Sequence, residues 1–155
     1  MANALKMSDA TTLGIHAMAY LADCHSDEAP RAHSVHEIAS RLEASEAHLA
    51  KVLQRLAHLG HLSSTRGPKG GFALARKPDR ITLLDVYEAL EGPFEIHRCL
   101  FSEPICNREQ CIMGGLVEKV ATEVRTYLEQ TTLATVAKGG ERVQKTDRQD
   151  RRRRM

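Results

Sequence analysis

The stretch EAHLAKVLQRLAHLG, residues 46–60, places Leu49, Val52, Leu53, Leu56 and Leu59 at i, i+3, i+4, i+7 and i+10. That spacing is one apolar stripe on a 3.6-residue helix. Gly60 closes it, since glycine takes the left-handed backbone that ends a helix without a Cβ penalty. Ser45 stands where a side chain can cap the start. Just upstream, SVHEIASRL predicts a short helix over 34–42, with Ser34 and Glu37 spaced as a capping box. A turn of three or four residues joins the two helices. Immediately downstream, HLSSTRGPKGGFALA predicts two short strands, 62–65 and 72–75, around a tight RGPKGG tip.

A helix–turn–helix followed at once by a β-hairpin is the winged-helix arrangement. The expected fold class is therefore mainly α with a small β-hairpin wing, a winged helix–turn–helix joined to a long helix suited to dimerisation. Residues 10–24 predict a first helix with Leu13, Ala17, Tyr20, Leu21 and Cys24 on one stripe, which makes Cys24 a buried structural thiol. Residues 79–90 predict a short helix capped by Thr82, with Asp85 three positions on and Gly92-Pro93 as its stop. From Ile112 a long helix carries Met113, Leu116, Val117, Val120, Val124, Tyr127 and Leu128 on one face. So long an apolar face reads as an inter-subunit seam. A short terminal helix is expected over 131–137. The apolar-poor residues 138–155 read as a disordered basic tail. The expected division is a DNA-binding domain at 8–78, a linking helix and cysteine loop at 79–111, a dimerisation helix at 112–137, and the tail.

Aromatic residues are 4% of the chain and Trp is absent, so aliphatic helices must build the core. No apolar run reaches the roughly 18 residues that a membrane span needs. The N-terminus lacks the pattern of a secretory signal, so a cytoplasmic protein with reduced thiols is expected. The net charge of +2 is unevenly placed. Residues 138–155 hold eight Lys/Arg and three Asp/Glu, a local +5, which leaves −3 for residues 1–137. Inside that acidic body, residues 45–77 hold six Lys/Arg and one acidic residue, again +5. A basic island in an acidic domain suits a nucleic-acid partner.

The polar side of helix 46–59 presents His48, Lys51, Gln54, Arg55 and His58, groups suited to phosphates and to base edges in a major groove. Ser45 and Ser64 flank that surface. The hairpin tip sets Arg66 and Lys69 beside glycines, which permits close approach to a sugar-phosphate backbone, and arginine can enter a narrow minor groove. The tail carries a basic run at 151–154 that would meet DNA only through charge.

The segment CLFSEPICNREQC, residues 99–111, gathers three of four cysteines in a C-x6-C-x4-C pattern. A disulfide needs an oxidising compartment, and structural zinc prefers shorter gaps. A redox-switch thiol leaves one cysteine unexplained. Three thiolates around an iron–sulfur cluster fit the count and the loop character best. A fourth ligand would come from His16, His97, Asp9, solvent or a small thiol.

VHEIASRL, HLAKVLQRLAHLGHLSSTRGPKGGFALAR, ITLLDVYEALEG and the three-cysteine loop, in that order, resemble the iron–sulfur winged-helix transcription regulators of the IscR, NsrR, RirA and RsrR kind. The resemblance covers about residues 5–137, and RGPKGGF and ITLLDV carry it most specifically. It implies a homodimeric, non-enzymatic DNA-binding regulator whose long helix forms the dimer. Its cluster, [4Fe-4S] or [2Fe-2S], would sit on Cys99, Cys106 and Cys111. His16 matches by position a first-helix histidine that one branch uses from the partner subunit. Three departures stand out. The gaps are six and four where five and five are usual, Gly114 stands where one branch has a histidine, and Ala50 stands where another has a base-reading acid. The expected partner is a pseudo-palindromic double-stranded operator. The alternative expectation is a cluster-free winged-helix regulator whose loop binds zinc or docks a metabolic enzyme.

Overall fold

The computed structural model describes residues 7–28, 31–101, 103, 105–107, 109 and 111–137. The expected tail at 138–155 lies outside them. The described elements run α1 (Asp9–Asp23), α2 (Val35–Leu42), α3 (Glu46–His58), β1 (Leu62–Thr65), β2 (Gly71–Leu74), a 3-10 turn (Pro78–Arg80), α4 (Leu83–Glu91) and α5 (Leu116–Gln130), and residues 133–137 are helical. The architecture is a mainly helical winged helix–turn–helix with a two-stranded hairpin, as the sequence predicts.

Helices α1 to α4 each begin where a side-chain oxygen takes an orphan backbone N–H, while α5 starts at Gly115 without one. Ser8 accepts from the Thr11 N–H, Ser34 from Glu37, Ser45 from His48 and Thr82 from Asp85. Only Thr82 and Asp85 complete a reciprocal capping box. The box expected at Ser34 is half made. The Glu37 carboxylate turns instead to Tyr20, Arg31 and His33.

The core gathers Ala17, Met18 and Leu21 of α1, Ile38 of α2, Leu49, Leu53 and Leu56 of α3, and Val86 and Leu90 of α4. Gly14 lies where α1 crosses α3 and α4. A Cβ there would stand 2.4 Å from Leu90 Cδ1 and 3.3 Å from Val52 Cγ1, so a larger residue would have to push the Leu90 side chain aside. Leu59, expected on the buried stripe, is exposed because α3 ends at His58 and Leu59 is its C-cap.

β1 and β2 pair antiparallel, Leu62 opposite Leu74 and Thr65 opposite Gly71, one residue earlier on the second strand than its sequence pattern suggests. The chain before α2 adds a third rung: His33 and Phe72 exchange two backbone hydrogen bonds, both 2.8 Å. The wing is thereby fastened to the start of the helix–turn–helix.

Two further expectations need correction. Cys24 is exposed, not buried, because α1 ends at Asp23 and Cys24 is its C-cap, beyond the last buried turn. The long helix begins at Leu116, not Ile112. Gly114 and Gly115 have φ of 54° and 79°, left-handed backbone that an α-helix cannot include, and Ile112 is left 89% exposed. The helix ends at Gln130 with Thr131 as its C-cap, and a bridge between Thr82 and Thr132 ties the C-terminal stretch to the start of α4. Ala121 and Leu128 of α5 are buried, while Leu116 and Tyr127 remain exposed on it.

Candidate nucleic-acid interface and cysteine centre

Burial of Leu49, Val52, Leu53 and Leu56 fixes the rotation of α3 and turns its opposite side outward. His48, Lys51, Gln54, Arg55 and His58 are all exposed on it, and Ser45 is exposed at its N-cap. Ser64 is exposed on β1, and Arg66 and Lys69 are exposed on the tip between the strands. The tip is closed by a Gly70 N–H to Gly67 carbonyl bond of 2.9 Å. A Cβ on Gly70 would stand 2.2 Å from the Thr65 carbonyl oxygen, so the turn needs that glycine. All nine residues singled out from the sequence for DNA are thus surface residues of α3, its cap or the wing.

Two pairs on this surface escape a reading by residue type. His36 Nδ1, on α2, lies 2.5 Å from Glu46 Oε1 at the start of α3. His61, at the base of the wing, has its pKa lowered by burial first and then by the Arg76 guanidinium, which hydrogen-bonds its Nδ1 at 3.2 Å. The only visible signal for the first pair is that Glu46 is the single acid of the basic stretch 45–77.

The three loop cysteines are brought together. Cys106 and Cys111 are close enough to act on each other's titration, and the charge of Cys99 reaches Cys106. Partial desolvation, then these sulfur neighbours, push the Cys106 thiol up. Cys111 goes the other way. The Met113 backbone N–H is the largest cause, helped by those of Gly115 and Gly114 and by Cys106. The left-handed backbone of Gly114 and Gly115 brings N–H groups beside the sulfur, and the Gly114 N–H donates to the Cys111 carbonyl at 2.9 Å, closing the turn.

The loop is anchored at its start. Phe94 packs on Tyr87 with ring centroids 5.1 Å apart, and its carbonyl accepts from Arg125 of α5 at 3.2 Å. Arg98 pairs with Glu118 of α5, 3.2 Å away. Beyond that anchor, Leu100, Phe101, Ile105 and Ile112 are exposed around the thiols.

Among the described residues, no three His, Cys, Asp or Glu side chains are gathered as ligands of one metal ion. Thiolates that hold an iron–sulfur cluster bind different iron atoms and do not converge on one point, so the donor set of three neighbouring thiols, one of them in an N–H cradle, fits such a group. His16 is exposed on α1 and its Nδ1 donates to the Thr12 carbonyl at 2.7 Å, which leaves the lone pair on Nε2. It is not gathered with the thiols of its own chain. His97 is exposed and pairs with Glu95 at 3.7 Å, and Asp9 is exposed in the first turn of α1.

A basic recognition surface on a helix–turn–helix with a wing defines a DNA-binding transcription regulator, not an enzyme. The chain matches the Rrf2 family, described as iron-dependent transcriptional regulators, over residues 7–139, and it belongs to that family. It is 29% identical over 142 residues to the regulator IscR of Xenorhabdus nematophila, covering 90% of this chain and 85% of the relative. Its fold is similar to that of CymR, the global cysteine regulator of B. subtilis, with a TM-score of 0.71 and 33% identity over 86% of this chain and 97% of that one. It is also similar to T. potens IscR, with a TM-score of 0.69 and 32% identity over 90% of this chain and 91% of that one. No helix among the described residues is long and apolar enough to cross a membrane.

Proposed function

We propose that this regulator is a homodimer whose operator affinity is set by an iron–sulfur cluster on Cys99, Cys106 and Cys111. The observation that carries the reading is the closeness of three thiols on one short loop, with the Cys111 thiol pulled down by the neighbouring backbone N–H groups. Residues 8–78 bind DNA, 79–111 link to and hold the cluster, and 112–137 dimerise through the exposed side of α5. In the dimer, α3 of each protomer enters a major groove, and the two lie about one turn apart, roughly 34–36 Å, on a pseudo-palindromic site. Ser45, His48, Lys51, Gln54, Arg55 and Ser64 meet phosphates and base edges, while Arg66 and Lys69 follow the flanking backbone.

His16 supplies the remaining ligand from the partner's first helix. Support comes from its Nδ1–H bond to the Thr12 carbonyl, the backing that metal-bound histidines commonly have. When bound, the cluster supplies a centre that nitric oxide, oxidation or iron–sulfur supply can alter. The anchors Arg125 to Phe94 and Arg98 to Glu118 tie the loop to α5, so a change in loop shape bears on the dimer.

The test is anaerobic purification with iron and acid-labile sulfide analysis, followed by operator titration of holo and apo protein. Cys99→Ala, Cys106→Ala and Cys111→Ala are each expected to abolish cluster retention, and His16→Ala to leave a labile or spectroscopically altered one. Cluster loss is expected to shift operator affinity about 5–150-fold, a coupling of about 1–3 kcal/mol. Full iron in Cys106→Ala, or equal affinity of the two forms, would overturn the sensor reading. The likeness to CymR and the exposed Phe101, Ile105 and Ile112 favour a second reading, a cluster-free regulator whose loop binds zinc or docks a metabolic enzyme. A colourless protein with bound zinc would support it.

A further inference from the structure

We propose that Glu46, positioned by His36, is a specificity-determining residue that accepts a hydrogen bond from a cytosine amino group in the major groove. The inference rests on the reading that α3 lies in that groove.

Glu46 is the first residue of α3, and the N-terminal residues of a recognition helix are those that meet base edges. It is the only acid among residues 45–77, against six Lys/Arg. A carboxylate in the first turn of α3 is modestly favoured by the helix dipole but repelled by phosphates, so its presence beside a DNA surface needs a further reason. Capping is not one, because Ser45 already accepts from the His48 N–H. Its exposed pairing with His36 is not one either, since side-chain exposures of 78% and 55% leave such a pair little weight in stability.

The geometry of the pair suggests its use. His36 is on α2 and Glu46 on α3, so the 2.5 Å contact spans the turn of the helix–turn–helix. His36 Nδ1–H engages Oε1 and leaves Oε2 as the free acceptor. The neighbouring Ala47 and Ala50 are small, which lets this end of α3 sink toward the base edges within reach of a short side chain.

The chemistry selects one base. A carboxylate only accepts. Guanine presents N7 and O6 and thymine O4 in the major groove, all acceptors. Adenine offers N6 beside the N7 acceptor, which repels a carboxylate. Cytosine alone offers a donor, N4–H2, with no acceptor beside it on that edge.

The experiment selects a duplex from a randomised library with the full-length protein. It then measures affinity for every single-base variant with wild type, Glu46→Ala, Glu46→Gln, His36→Ala and Arg55→Ala. Wild type is expected to prefer C over T by about tenfold at one position per half-site, the order that one mismatched pair costs. Glu46→Ala is expected to level that position alone and to bind unrelated duplex more tightly. His36→Ala should reduce the preference in part, which a role in stability alone would not do. If Arg55→Ala changes the base profile and Glu46→Ala does not, or if Glu46→Ala shifts all positions equally, the inference fails and α3 still lies in the groove. A preference for A at the Glu46-dependent position overturns the cytosine assignment. If none of the variants alters the profile, the placement of α3 itself is wrong and the inference falls with it.

Discussion

Gly71→Ala isolates the join between the wing and the helix–turn–helix. Gly71 has a φ of 149°, backbone that an L side chain rarely adopts. A Cβ there would stand 2.2 Å from the His33 carbonyl oxygen, 2.4 Å from its carbon and 2.8 Å from the Ser34 nitrogen. These neighbours are backbone, and Ser34 caps α2, so no rotamer change can relieve the clash. Bringing the 2.2 Å contact out to 3.0 Å needs an opening of about 0.8 Å. The two His33–Phe72 hydrogen bonds, now 2.8 Å, would then stretch to about 3.6 Å, beyond useful bonding.

Losing two such bonds costs about 0.5–1.5 kcal/mol each. Backbone strain adds about 1–3 kcal/mol. The expected destabilisation is therefore about 2–6 kcal/mol, which a domain of ordinary stability survives at 25 °C. Gly67→Ala is the control. Its φ of 108° brings strain, but nothing lies within 4 Å of the added Cβ. Urea unfolding followed by circular dichroism measures both variants. Gly71→Ala should unfold at clearly lower urea than Gly67→Ala and bind operator more weakly. Equal midpoints would refute the argument that close backbone approach, and not the φ angle, is what demands glycine at 71.

Arg66→Ala with Lys69→Ala is expected to weaken operator binding by about 1–3 kcal/mol if the wing reads a base or a narrow groove, and gel-shift titration yielding unchanged affinity would remove the wing from the interface. The carboxyl of Glu37 is held below its ordinary value of 4.5, first by the hydrogen bond with His33, then by charge from His33, the Tyr20 hydroxyl and Arg31. A depressed folded-state pKa gives stability that is complete above about 4.5 and is lost as pH falls through the folded value. Glu37→Gln should accordingly unfold more easily than wild type at pH 7, with the gap closing below pH 4.5; a gap that stays constant in urea titrations across that range would show that the cluster contributes nothing through charge.

The helix–turn–helix and wing were legible because their determinants are local. The Leu49 to Leu56 stripe, the caps at Ser34, Ser45 and Thr82, and the RGPKGG tip each act within a few residues of themselves. Errors arose where periodicity was carried past a helix end. Cys24 and Leu59 continue apolar stripes on paper, but each is a C-cap and so leaves the buried face. Ile112 and Met113 fit the α5 pattern, but the adjacent Gly114-Gly115 pair adopts left-handed backbone and postpones the helix to Leu116.

The candidate site divides along the same line. Three cysteines in thirteen residues announce a sulfur centre, since only their number and closeness are needed. What tunes them is not announced. The N–H cradle under Cys111 depends on two φ angles, and the anchors from Arg125 and Arg98 depend on where α5 packs. Glu37 fits a capping box by spacing, yet its carboxylate is drawn to Tyr20, Arg31 and His33, because a charged hydrogen bond with a 5%-exposed histidine outweighs one to a solvent-facing backbone N–H. His36 and Glu46 are ten residues apart and meet only because Glu43 turns the chain through left-handed backbone, φ 53° and ψ 41°, between α2 and α3. A side chain whose partner lies across a turn takes its role from the turn's angle, and that angle is set by packing in the shared core. For this chain the proposed DNA-facing residues are therefore written in the helix–turn–helix pattern, while Glu46, proposed to refine base choice, is visible in sequence only as the one negative charge where six positive charges prevail.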